Sequence, residues 1–159
     1  MFELLEHTAD VGIKGTGRDL NEAFAETAKG MFSIIAEAKG IRLAEENKLE
    51  VKAENLEELL VEFLNELLYL FYTEKILFRE FEVEIDAGRE IEGGKAGLSW
   101  KGKTRKRKEK EFALKCTARG EMLDEKKHGL RSDVKAATYT GLKIGREKGK
   151  FFAQCILDV

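Results

Sequence analysis

Leu20, Ala23, Phe24, Ala28, Met31, Phe32 and Ile35 recur at spacings of three and four residues, the period of one apolar stripe on an α-helix. Asp19 stands where a cap accepts an N–H from the first turn, and Glu22, three residues on, completes a capping box. Gly40 is the expected stop. A second stripe joins Leu56, Leu59, Leu60, Phe63, Leu64, Leu67, Leu68 and Phe71, with Asn55 and Glu58 repeating the cap pattern. Burying each large apolar side chain contributes about 1.5–3 kcal/mol before entropy, so this second helix is expected to anchor the core. An extended segment precedes each helix, residues 11–17 and 49–53. Asp19-Leu20-Asn21-Glu22-Ala23-Phe24 also matches Asn55-Leu56-Glu57-Glu58-Leu59-Leu60 in pattern, so a duplicated strand-helix unit is one reading.

Beyond the second helix the period falls to two. Phe81, Val83 and Ile85 alternate with Glu82, Glu84 and Asp86, as in a strand with one wet face. Phe112, Leu114 and Cys116 alternate in the same way with Ala113, Lys115 and Thr117. Residues 138–144 and 151–157 read as a last hairpin, with Glu147, Lys148 and Gly149 in its turn. The glycine-rich stretch 88–102 reads as a loop or ragged hairpin. The pattern as a whole predicts an α+β fold, two amphipathic helices packed on a mostly antiparallel sheet, in a single domain over residues 1–159.

Composition narrows the function classes. The 28 basic and 30 acidic residues leave a net charge of -2, so nothing global draws the chain to nucleic acid or to a membrane. Proline is absent and charged residues make up 36%, dominated by Glu and Lys, the composition associated with heat-adapted proteins. Cys116 and Cys155 are far apart, lack metal-ligand spacing and fall on apolar strand positions, so buried free thiols are expected. No apolar run approaches the roughly 18 residues that a membrane span needs. Glu3 and Glu6 near the start do not fit a signal peptide. A cytoplasmic protein is the expectation.

Four features carry candidate chemistry, and each has a bland alternative. Residues 101–110 hold Lys101, Lys103, Arg105, Lys106, Arg107, Lys108 and Lys110, a run able to meet phosphates. Only Trp100 at its edge offers a base-stacking ring, and a solvated hairpin is the simpler reading. His7 and His128 have no partner at zinc-ligand spacing; His7 either orients the Asp10 loop or serves as an ordinary polar residue at a strand end. Lys135 enters an apolar strand, where a buried unpaired ammonium is costly, so it either pairs with a carboxylate or reaches solvent. Asp10 reads singly as a turn residue before Gly12, and Asp158 as a frayed end. If the fold joins the two, their hard oxygen donors suit a divalent cation such as calcium or magnesium. No Ser-His-Asp order, phosphate loop or nucleophile elbow is present, and Gly15 with Gly17 does not make a dinucleotide fingerprint.

Six blocks in order resemble the archease family along nearly the whole chain. They are His7-Thr8-Ala9-Asp10-Val11-Gly12, then Glu22-Ala23-Phe24 with Gly30-Met31, and Leu64-Asn65-Glu66-Leu67-Leu68-Tyr69. Gly120-Glu121 with His128, Lys135-Ala136-Ala137-Thr138-Tyr139 and the ending Ile156-Leu157-Asp158-Val159 complete the set. The family often places a histidine after the Thr-Tyr pair, where this chain has Thr140, so no role of that histidine carries over. The resemblance implies a non-enzymatic accessory protein of tRNA splicing. Its implied partner is an RtcB-type RNA ligase, which it activates by promoting guanylylation and turnover and by broadening nucleotide use. It implies a divalent cation, most often calcium, on Asp10, Asp158 and Val159, and a part for Lys135 in activation. An RNA-binding module using residues 101–110 and a chaperone-like modulator of nucleic-acid enzymes are the rival readings.

Overall fold

The computed structural model describes residues 1–6, 10–92 and 108–159. The chain runs β1 (Phe2–Glu6), β2 (Val11–Gly17), α1 (Leu20–Ile35), a short 3-10 turn (Ala38–Gly40), β3 (Glu45–Ala53), α2 (Leu56–Glu74), β4 (Ile76–Glu92), β5 (Lys108–Met122), β6 (Ala136–Glu147) and β7 (Lys150–Asp158). The strands make two sheets, ordered β1-β2-β7-β6 and β3-β5-β4, in which every neighbouring pair is antiparallel. The α+β class and the antiparallel pairing expected from the pattern are both present.

Both helices begin as the capping pattern predicts. The Asp19 carboxylate accepts from the Glu22 N–H at 2.8 Å, and the Asn55 amide oxygen accepts from the Glu58 N–H at 2.7 Å. The two junctions are alike, but the strands feeding them differ in setting. β2 has neighbours on both sides, whereas β3 is a sheet edge. Helix α1 stops at Ile35, five residues before Gly40. Ala36 turns extended and bridges Leu130, and the Ile35 carbonyl accepts from the Arg131 N–H at 2.8 Å. A tertiary contact thus ends the helix, and Gly40 only closes the 3-10 turn.

Ten of the 16 residues of α1 are buried, more than one stripe can hold, because the helix lies between the two sheets. Thr27 Oγ1 donates to the Ala153 carbonyl of β7 at 3.0 Å on one side, and the Phe32 ring meets Phe78 and Phe81 of β4 on the other. Helix α2 touches β6 of the first sheet and all three strands of the second, and keeps one face in water. It therefore lies along the otherwise open edge of β6, one of the ways a sheet edge is blunted.

Two late features bear on the sequence pattern. Of the loop or ragged hairpin expected over 88–102, the described part is hairpin: β4 continues through residues 88–92 and pairs with the start of β5 after a register shift, and residues 93–102 lie outside the described part. The last hairpin closes at Lys148-Gly149, both with positive φ (51° and 78°), a pair of left-handed residues that matches the twist of its strands. Cys116 and Cys155 are buried free thiols, and burial pushes them up to about 12 and about 11.

Candidate functional site

The first sheet brings the two ends of the sequence together. In the β2–β7 register Val11 faces Leu157, Gly12 faces Ile156 and Ile13 faces Cys155. Asp10, at the bend before β2, and Asp158, the last residue of β7, each adjoin the end pair of that register, Val11 and Leu157. On its other side Asp158 pairs with Ala136, the first residue of β6. The Lys135 N–H then donates to the Asp158 carbonyl at 2.7 Å. Residues 10, 135 and 158, distant in sequence, thus share one corner where three strands start or stop.

Alternation fixes the face. Ala153, Cys155 and Leu157 of β7 are buried toward the helices, so Asp158 falls on the opposite, wet face, and it is exposed. Asp10 falls by the same alternation on the face of Gly12 and Lys14, and is partly exposed. Lys135 is exposed as well, and no carboxylate among the described residues lies within 4 Å of its ammonium. Of the two expectations for this lysine, exposure to solvent is the one realised. Val159 is partly buried and packs against the core. His7 lies outside the described residues.

A hard divalent cation takes oxygen ligands at about 2.3–2.6 Å, carboxylates and backbone carbonyls among them. The donor chemistry of Asp10, Asp158 and nearby backbone oxygens therefore fits a hard divalent ion. Among the described residues no three His, Cys, Asp or Glu side chains form a metal-holding cluster. Two carboxylates with backbone oxygens leave most positions of such an ion to water or to a partner.

The segment carrying Lys135 is fixed from a second direction by α2. The Asn65 amide pairs with both backbone groups of Ala137. Its Oδ1 accepts the Ala137 N–H at 2.8 Å, and its Nδ2 donates to the Ala137 carbonyl at 3.3 Å. One helical face further on, the Tyr72 hydroxyl donates to the Val134 carbonyl at 2.7 Å. The apolar-stripe reading had given neither residue a part. A signal was present: asparagine inside a helix is unfavourable, so Asn65 amid leucines asks for a tertiary partner.

Immediately after this corner β6 bulges. Thr138 pairs with Ile156 and Lys143 with Gln154, so residues 139–142 oppose Cys155 alone. Tyr139 and Thr140 on the bulge are exposed. The Tyr139 phenol is pushed up by desolvation and by the carboxylates of Glu58 and Glu62 on α2.

A model of the archease protein family (MTH1598/TM1083) matches residues 2–159. The chain belongs to the archease family. It is similar to protein archease of Pyrococcus abyssi, 37% identical over 159 residues, a match covering 99% of this chain and 98% of the relative. It is similar also to protein archease of Sulfurisphaera tokodaii, 32% identical over 158 residues with the same coverage. Its fold matches the solution structure of Methanobacterium thermoautotrophicum protein 1598 with a TM-score of 0.76, 34% identity, and coverage of 99% of this chain and 98% of that one.

Within this archease the remaining resemblance blocks have local work. Gly120 lies so close to β4 that a Cβ there would collide with the Leu77 carbonyl oxygen. Glu121 accepts from the Arg42 N–H at 3.0 Å, the Lys127 ammonium at 2.7 Å and His128 Nε2 at 2.7 Å. The other ring nitrogen of His128, Nδ1, accepts from the Asp124 N–H at 3.0 Å. Both ring nitrogens are thus engaged, and His128 is 3% exposed, a structural rather than a ligating histidine. The basic run falls largely outside the described residues; only the backbone of Lys108, Glu109 and Lys110 is placed, opening β5. No helix of the described residues is long and apolar enough to cross a membrane.

Proposed function

We propose that this archease is an accessory protein of tRNA splicing that activates an RtcB-type RNA ligase, promoting its guanylylation and turnover and broadening its nucleotide use. The observation that carries this reading is the convergence of residues 10, 135 and 158 on one wet corner of the first sheet. In the proposed site Asp10, Asp158 and a Val159 backbone oxygen hold a divalent cation, calcium in this reading, with His7 in a supporting place. When bound, such an ion offers positive charge and open ligand positions to a phosphate or carboxylate of the ligase-nucleotide complex. The exposed Lys135 ammonium adds a mobile positive group beside it, suited to the negative charge that builds up as a guanylyl group is transferred.

The test is ligase guanylylation measured with and without the accessory protein. Asp10→Ala, Asp158→Ala and Lys135→Ala are each expected to lower stimulation by about 10- to 100-fold, the range seen when groups holding a metal site are lost. Stimulation equal to wild type by all three variants would remove the reading and favour a chaperone-like surface elsewhere.

A further inference from the structure

The segment between Val134 and Ala137 is held at both ends by one helix. Asn65 and Tyr72 are seven residues apart on α2, two turns on the same face, or about 10.5 Å of rise. The groups they bind, Val134 and Ala137, are three residues apart, about 10 Å of extended chain. The two spacings match, so a straight helix can clip an extended segment at both points without bending either. Between the clips lies Lys135, whose own N–H is bound to the Asp158 carbonyl.

The clip is needed there. β6 is an edge strand, so the outward N–H and carbonyl of Ala137 have no strand partner, and the Asn65 amide stands in for one. The residues leading into it, 131–135, form no regular structure that would hold them. Val134 is fully buried and pins the chain from beneath, while Lys135 alone of the clipped stretch is exposed. Burial and Asp133 push the Tyr72 phenol up, so it remains a donor through neutral pH. A flexible lysine side chain thus grows from backbone fixed on three sides, by Tyr72, Asp158 and Asn65.

We propose that Asn65 and Tyr72 are positioning residues that set Lys135 against Asp158 at the activating corner. The proposal rests on the reading of that corner as the activating site. Its test uses the full chain and an RtcB-type ligase, with Asn65→Ala, Tyr72→Phe and, as reference, Lys135→Ala. Tyr72→Phe keeps the ring and removes only the hydroxyl. Both clip variants are expected to lower maximal ligase stimulation at saturating accessory protein by about tenfold, as loss of an outer supporting group does. The half-saturating concentration should stay unchanged. Amide hydrogen exchange should quicken at residues 135–137 but not along α1.

If Lys135→Ala loses stimulation while both clip variants retain it, this inference fails and the functional reading stands. If Lys135→Ala itself stimulates normally, Lys135 has no part in activation and this inference fails, while the functional reading stands or falls with Asp10→Ala and Asp158→Ala. A raised half-saturating concentration with an unchanged maximum would assign the two residues to docking instead. Faster exchange throughout α1 would reduce them to general stabilisers of the fold. Either result overturns the proposal.

Discussion

Glu121 shows how much one side chain can organise. Its carboxylate gathers the Arg42 N–H, the Lys127 ammonium and the His128 ring, and is held down to about 2, chiefly by Lys127. A free glutamate titrates at about 4.3. Because the folded value lies below the unfolded one, the carboxylate contributes its stability in full above about pH 4.5 and loses it as pH falls toward 2. Glu121→Gln is therefore expected to be less stable than wild type at pH 7. The gap should narrow below pH 4.5 and close near pH 2, as read from thermal melts across that range. A constant gap would show that the titration of this group does not contribute. Neither His128 nor Glu121 could be given this part from spacing, since Arg42 lies 79 residues from its partner.

At the scale of elements, the helices start where local sequence says and stop where tertiary contacts say. The caps of α1 and α2 have the same geometry, with one side-chain oxygen on the N–H three residues ahead. Removing such a cap costs about 1 kcal/mol. Asp19→Ala and Asn55→Ala are each expected to lower stability by that amount in urea unfolding. The double variant should lose the sum, because the two caps share no partner. A negligible loss for either would mean that packing alone fixes that helix start. The end of α1 was not legible in the same way. Gly40 is a sound local signal, but Ile35 and Ala36 are already engaged by Leu130 and Arg131, from a segment nearly a hundred residues later. Likewise, period two announced β4 and β5, while the four-residue bulge in β6 depends on its pairing with β7 and has no signature in one strand alone.

For the whole molecule the decisive fact is that α1 lies between two sheets. Phe32 marks the junction. Its ring centroid is 6.3 Å from Phe71 of α2, 5.7 Å from Phe78 and 5.7 Å from Phe81 of β4, and the residue is 2% exposed. Phe32→Ala is expected to cost about 3–5 kcal/mol, against a total for a domain of this kind of about 5–15 kcal/mol. A large fall in the urea midpoint should follow, and a loss under 1 kcal/mol would show that the core closes around the gap. By itself the sequence determined the elements, because capping, periodicity and turn chemistry are local and written in neighbouring residues. It also determined the family, because the ordered blocks run the length of the chain. Only the tertiary structure decided that the strands divide into two sheets around α1, and that α2 clips the chain on either side of Lys135. It alone brought Asp10 and Asp158 to one corner, because strand pairing joins residues by register, and the register between β2 and β7 is fixed by packing all along both strands rather than by anything near either aspartate.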